Sequence, residues 1–274
     1  MSDLQGKRIA LLEGRMHSEL ADLVRRHGGE PYSVPALREV PRENLAEVSR
    51  FLDRLHSGAL PIVIWLTGVG VMTLCREADR LGRLAMLVQD VQPLTVVCRG
   101  PKPVAACKRQ GMPVSVQIPS PYTTAELLDT LASIDLAARG VGLVHYGERN
   151  APLADALRAR GAHLEELCLY EWRLPEDLGQ LQQLVRDLTA GSVDAIAFTS
   201  QVQIRHLWQV AAGLGLDTTL ARQLTEHCIV TAVGPTCAAA LAAVGVTPHV
   251  VPSHPKMGPM VMALASYLAA ADRV

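Results

Sequence analysis

Six short turns gather the residues of this sequence best suited to chemistry. Gly14-Arg15, Thr67-Gly68-Val69-Gly70 and Arg99-Gly100-Pro101-Lys102 lie in the first half. Gly147-Glu148-Arg149-Asn150, Thr199-Ser200-Gln201 and Gly234-Pro235-Thr236-Cys237 lie in the second. Each joins a short apolar run to an amphipathic stretch. Small residues at such a junction leave backbone N–H groups pointing outward at the start of a helix, an arrangement suited to a carboxylate. Lys102 opens a helix beside Arg99, where a cation works against the helix dipole. It is either a solvated first-turn charge or an anion contact, and Arg149 stands in the same kind of turn.

Other chemistries are poorly represented. TGVGV resembles half of a dinucleotide fingerprint, but the third glycine is missing and no acidic residue closes a second strand. There is no Walker motif, HExxH or GxSxG elbow. His145 and His163 fall in different elements, and His249 and His254 flank a proline turn, so surface or core roles outweigh metal ligation. No metal site is expected.

The elements that position these turns repeat. IVIWLTGVGVMTL starts at Ile62 and AIAFTSQVQIRHL at Ala195, 133 positions later. At the same offset Gly14 meets Gly147, Leu20-Ala21-Asp22 meets Leu153-Ala154-Asp155, and Gly28 meets Gly161. After one extra residue Gly100-Pro101 meets Gly234-Pro235, and the original register returns at Pro119-Ser120 and Pro252-Ser253. A near-constant offset along the whole chain marks a duplicated unit, Lys7–Arg139 and Gly140–Val274. Within a unit, RIALLEG, EPYSVPAL, PIVIWL, LTVVC and PVSVQIP read as strands. Helices are expected over Ser18–His27, from the third strand through Arg80, over Pro101–Gln110 and over Thr124–Ser133. Five strands alternating with helices imply a parallel, doubly wound α/β sheet, whose ligands bind beyond the C-terminal strand ends. Two sheets with six such turns suggest one large ligand in a cleft between two lobes. Tyr170, in LCLYEWRLPED, reads as the end of the strand leaving the second βα unit. Its mate in the repeat is Leu37, so packing alone does not demand a phenol there.

Composition narrows the partners. The chain has 274 residues, 49% hydrophobic and 19% charged, enough for one or two domains with cores. A formal net charge of −1 lacks the basic excess of a nucleic-acid binder, so an anion must be held by local donors. Six scattered cysteines without a CxxC pair read as reduced cytosolic thiols. The start, MSDLQGKRIALLEG, has no signal pattern. Cys228 to Val251 is the longest apolar stretch, but Gly234-Pro235, Gly245 and Pro248 interrupt it, so it reads as a buried strand–helix–strand and not a membrane span.

Taken together, LTGVGV, RGPKPVAACKRQGMP, LYEWRLPED, DAIAFTSQVQI and VGPTCAAALAAVGV resemble the uroporphyrinogen-III synthase family in their order and spacing, over almost the whole chain. The resemblance implies two flavodoxin-like lobes joined by a two-stranded connector at LREVP and YEWRLP. One lobe is residues 1–37 with 175–274, and the other is 38–174. It implies a cytoplasmic, monomeric lyase of porphyrin and heme synthesis without metal or organic cofactor. That enzyme cyclises the linear tetrapyrrole octacarboxylate hydroxymethylbilane, with loss of water and inversion of ring D. Substrate hand-over from hydroxymethylbilane synthase is implied, and no nucleic-acid or membrane partner. Tyr170 matches the family tyrosine and is the expected general acid, a phenol being protonated at neutral pH. The expected substrate contacts are Thr67, Gly68, Val69, Gly70, Arg99, Gly100, Lys102, Gly147, Arg149, Asn150, Thr199, Ser200, Gln201, Gly234 and Thr236. Cys237 stands where the family usually carries threonine, which leaves Thr236 to supply the hydroxyl. Pro103 holds the matching place in the first half and has no N–H. Two other classes fit the same pattern. One is a synthase-like sensing module that binds a tetrapyrrole or small anion without turnover, here without an appended DNA-binding domain. The other is a periplasmic-type binding protein, which the missing signal peptide disfavours.

Overall fold

A computed structural model describes residues 4–42, 44–145 and 147–271; the outer bounds expected at Met1 and Val274 lie outside them. Two compact units emerge, one of Met1–Arg38 with Arg173–Val274, the other Glu39–Trp172.

The second unit is built on a five-stranded sheet of order β6-β5-β4-β7-β8. Its strands are β4 (Ile62–Trp65), β5 (Thr95–Cys98), β6 (Val116–Gln117), β7 (Gly140–Val144) and β8 (His163–Leu167). All of its described pairings are parallel. Alternation along β4 sorts its side chains. Val63 and Trp65 face helices α2 (Leu45–His56), α3 (Gly68–Arg80), α4 (Leu84–Val91) and α5 (Pro101–Arg109), while Ile62 and Ile64 face α6 (Thr124–Leu131) and α7 (Ala151–Ala159). Because both faces are covered, β4 is apolar at every position.

The first unit has the order β11-β10-β1-β2, from β1 (Arg8–Leu11), β2 (Glu30–Ser33), β10 (Ala195–Phe198) and β11 (Ile229–Ala232). Helices α8 (Gly179–Thr189), α9 (Gln201–Gly213), α10 (Asp217–Glu226) and α11 (Pro235–Ala242) cover one face. Helices α1 (His17–Arg26) and α12 (Met257–Ala271) cover the other. The chain passes between the units within β3 (Arg38–Pro41) and β9 (Tyr170–Arg173), a two-stranded antiparallel pair.

The duplication is visible element by element. Helix α3 starts at Gly68 and α9 at Gln201, β2 at Glu30 and β8 at His163, all 133 apart. Strands β5 and β11 start 134 apart, at Thr95 and Ile229, where the extra residue was expected. The α/β class and the doubly wound parallel sheets therefore stand.

Two readings need correction. Cys228–Val251 is not strand–helix–strand: after α11 only Val250 pairs, in a single bridge to Thr231. Its mate PVSVQIP shrinks to the two-residue β6. Both sit at sheet edges beside a proline, which removes a donor from the ladder. Tyr170 does not end the strand leaving the second βα unit. That strand, β8, ends at Leu167, and Tyr170 opens the connector β9. Among the described residues no helix is long and apolar enough to cross a membrane, and all six cysteines are unpaired.

Candidate functional site

In the second unit the strand order reverses between β4 and β7, so the turns after these strands flank the crevice where doubly wound sheets bind ligands. The β4 turn begins with Thr67, whose extended backbone (φ −144°, ψ 154°) places its Oγ1 to accept the Gly70 N–H at 3.0 Å and cap α3. Gly68 has no room for a side chain. A Cβ there would lie 2.7 Å from the Lys102 carbonyl oxygen, so the first turns of α3 and α5 touch backbone to backbone. Val69 packs on the core behind the turn.

Helix α5 starts at Gly100, which has no side chain to cap it, and Pro101 occupies its first position. Pro101 and Pro103 carry no N–H, so Lys102 supplies the backbone donor between them. The Lys102 side chain is exposed and Arg99 half-buried. The ring of Tyr122, a residue held at φ +65°, lies against Gly100.

The β7 turn is organised around His145, which is fully buried. Its Nδ1 accepts the Asn150 N–H at 3.2 Å, which leaves Nε2–H to donate to Glu166 Oε2 at 2.8 Å. Asn150 caps α7 by accepting the Leu153 N–H, and its amide donates to Thr124 Oγ1 at 3.0 Å. Arg149 grips Glu166 through two bonds of 2.8 and 3.1 Å, and Arg158 also donates to that carboxylate. Burial would raise the Glu166 carboxyl, but the bonds from Arg149, Arg158 and His145 outweigh it and hold the group at about 2. Burial lowers His145, against the pull of Glu166. Gly147 adopts φ +59° with Trp172 pressed against it.

Acid sensitivity follows. Both groups have folded-state values below their ordinary ones, so the unfolded chain binds more protons and stability drops as pH falls. The His145 contribution is lost below about 6.5, its ordinary value. That of Glu166 is present above 4.5 and lost on descending towards 2. One unit is worth about 1.4 kcal/mol, so Glu166 contributes up to about 3 kcal/mol. Urea midpoints measured at pH 7.5, 5.5 and 3.5 should decrease in that order, and Glu166→Gln should flatten the last step. A constant midpoint would contradict this network.

Tyr170 closes the group. It is 2% exposed, its ring meets Trp172 edge-on at 5.5 Å between centroids, and its hydroxyl lies 3.1 Å from Thr67 Oγ1. In the second unit, then, Thr67, Gly68, Gly70, Gly100, Lys102, Gly147, Asn150 and Tyr170 all lie at the C-terminal ends of the strands.

The first unit repeats the plan with different side chains. Ser200 caps α9 in a capping box with Gln203. Thr199 donates its hydroxyl to Glu13 at the tip of β1, and buried Gln203 bonds both. Gln201 opens α9 half-buried. Gly234 begins α11 under Pro255, whose Cβ would lie 2.9 Å from an added methyl. Thr236 is exposed in the first turn. Cys237 is buried, with its thiol pushed up to about 12 by desolvation, and so is a packing residue.

Sequence reading missed Glu13, Gln203, Tyr122 and Glu166; it named His145 as a surface or core histidine, and the structure places it in the core. Glu13 carried a signal as a carboxylate just before the Gly14 turn, and Gln203 as the third residue after Ser200 in a capping box; Tyr122 and Glu166 depend on contacts between neighbouring strands and turns.

Comparison with known proteins bears on this geometry. The family model described as Uroporphyrinogen-III synthase HemD matches residues 18–262. A Bacillus subtilis (strain 168) protein, Uncharacterized protein YjjA, is 30% identical over 266 residues, covering 96% of this chain and 97% of its own. A mutant uroporphyrinogen III synthase from the extremely thermophilic bacterium Thermus thermophilus superposes with a TM-score of 0.77 at 25% identity, over 96% of this chain and 99% of its own. The Helicobacter pylori 26695 uroporphyrinogen-III synthetase shares the fold, with a TM-score of 0.55 at 14% identity, over 96% and 99% of the two chains. With strand tips, connector and duplicated turns all in this pattern, the chain belongs to the uroporphyrinogen-III synthase HemD family.

Proposed function

We propose that this protein is a uroporphyrinogen-III synthase, a cofactor-independent lyase that converts hydroxymethylbilane to uroporphyrinogen III. The observation that carries the reading is the Tyr170 hydroxyl, seated 3.1 Å from the hydroxyl that caps α3 at the reversal of strand order. Family membership supports the tetrapyrrole substrate.

The substrate carries eight carboxylates. A chain of net charge −1 attracts it with local donors, each charge-assisted bond worth about 1.5–3 kcal/mol. In this reading the N-termini of α3, α5, α9 and α11 and the cations Arg99 and Lys102 hold carboxylates. The Arg149 guanidinium, engaged by Glu166, shapes the β7 turn. Positioning rings A and D then selects the carbon that attacks. Tyr170 protonates the departing hydroxyl, an effect of about 10²–10⁴-fold. We place the reaction in the cytoplasm, with substrate passed from hydroxymethylbilane synthase.

A second reading, tetrapyrrole binding without turnover, draws on the 2% exposure of Tyr170 and on Thr199 being turned to Glu13. Limiting protein separates the two. At about one protein per hundred hydroxymethylbilane molecules, a synthase consumes the pool many times faster than spontaneous closure. A binding module protects one equivalent and leaves the remainder at the spontaneous rate, which would reject the synthase reading.

A further inference from the structure

We propose that Cys98 and Cys107 form a modification site in the second unit: hydrogen peroxide, a two-electron oxidant, joins them as a disulfide that ties the end of β5 to α5. The inference stands apart from the synthase reading. It rests on two fully buried thiols whose sulfurs lie 3.9 Å apart.

Cys98 closes β5 and Cys107 lies towards the end of α5. The chain runs from one to the other through Arg99-Gly100-Pro101-Lys102, so the crosslink spans one of the candidate binding turns. The duplicate shows that packing does not call for thiols here. With the one-residue shift, Cys98 matches Ala232 and Cys107 matches Leu241, both buried in the core of the first unit. Cysteine differs from such residues in reactivity more than in packing.

Peroxide reaches the pair when α5 lifts from the sheet. Nine residues is short for an independently stable helix. Gly100 gives α5 no side-chain cap, Pro101 and Pro103 bring no N–H, and the Val104 N–H meets the Gly100 carbonyl at a long 3.3 Å. Such a segment opens at lower cost than the whole unit unfolds. Cys75 of α3 is the competing thiol. Burial, with Cys107 adding to it, pushes Cys75 up to about 11, so it stays protonated and unreactive.

The step balances whichever of the two thiols ionises first. Its thiolate attacks one peroxide oxygen, the O–O bond breaks, and a sulfenic acid forms while hydroxide leaves and takes up the released proton as water. The second thiol gives up its proton, attacks the sulfenic sulfur and expels a second hydroxide, which also leaves as water. The thiols lose two electrons and two protons, and one peroxide becomes two waters. The sulfurs close from 3.9 Å to about 2 Å, which draws α5 towards β5. The first turn of α5 abuts that of α3 at Gly68, backbone to backbone, so the shift disturbs both binding turns.

The test treats the folded, fully reduced protein with hydrogen peroxide, blocks the remaining thiols with N-ethylmaleimide in denaturant and maps the peptides by mass spectrometry. A Cys98–Cys107 crosslink should form before the buried Cys228 and Cys237 thiols are lost, and dithiothreitol should reverse it. A pair that stays reduced, that stops at separate sulfenic or sulfinic acids, or that gives way to a Cys75–Cys107 crosslink would overturn the assignment. Activity is read separately. Where the wild type forms isomer III, the crosslinked protein should do so at least about 10-fold more slowly and recover with dithiothreitol, while Cys98→Ala should keep its rate under peroxide. Full activity in the crosslinked protein would overturn the coupling to the binding turns. A wild type that forms no isomer III would sink the synthase reading alone, since the peptide map still decides the modification site.

Discussion

Tyr170→Phe lowers the rate of isomer III formation by about 10²-fold or more and leaves the protein folded. Phenylalanine keeps the ring, which is buried in the core cluster of the second unit and meets Trp172 edge-on. What disappears is the hydroxyl, with its contact to Thr67. Each hydrogen bond lost costs about 1 kcal/mol of stability. The catalytic cost is larger because a general acid contributes about 10²–10⁴-fold. KM should stay within about threefold, since the proposed carboxylate contacts lie on other residues. Steady-state assays with isomer separation, beside a urea titration, read both quantities. Unchanged turnover in a folded variant would remove Tyr170 from the chemistry.

Gly147→Ala destabilises the second unit by about 2–4 kcal/mol. Two effects add. Residue 147 sits at φ +59°, where a non-glycine residue costs about 1 kcal/mol. An added Cβ would also fall 2.0 Å from Cδ1 and Nε1 of Trp172, inside van der Waals contact, and overpacking of this kind costs about 1–3 kcal/mol. The Gly147 carbonyl accepts the Trp172 N–H at 3.1 Å, so the turn cannot draw back without losing that bond. Chemical denaturation of Gly147→Ala, Trp172→Ala and the double variant should give a coupling of about 1–3 kcal/mol, because truncating the indole removes the clash. Additive losses would show that Trp172 is not what excludes a side chain at 147. The glycine therefore has a structural reason to be here, separate from any backbone N–H it offers to an anion.

The periodic parts of the fold were legible in the sequence. IVIW and AIAF, apolar at every position, announced central parallel strands. The 133-residue offset announced that α3 and α9, or β2 and β8, would be copies. The edges were not legible: PVSVQIP and the residues near Val250 have the alternation of strands, yet edge position and prolines reduce them to a two-residue pair and a bridge. At the site, composition exposed the small-residue turns but not how their side chains are engaged. Arg149 looks like an anion contact until β8 brings Glu166 beside it, and Thr199 looks like a presented hydroxyl until β1 brings Glu13. Both partners arrive through sheet pairing, which leaves no local mark on the turn. The same limit hid the bond between Thr67 and Tyr170, which are 103 positions apart and lie in different elements.

The identity of the product tests the central claim most directly. Hydroxymethylbilane closes unaided to the uninverted isomer I, so inversion of ring D is a signature of catalysis. Hydroxymethylbilane should be supplied with a trace of this protein, and the products oxidised and resolved by chromatography. The account predicts predominantly isomer III. Isomer I alone, formed at the rate seen without protein, would contradict it.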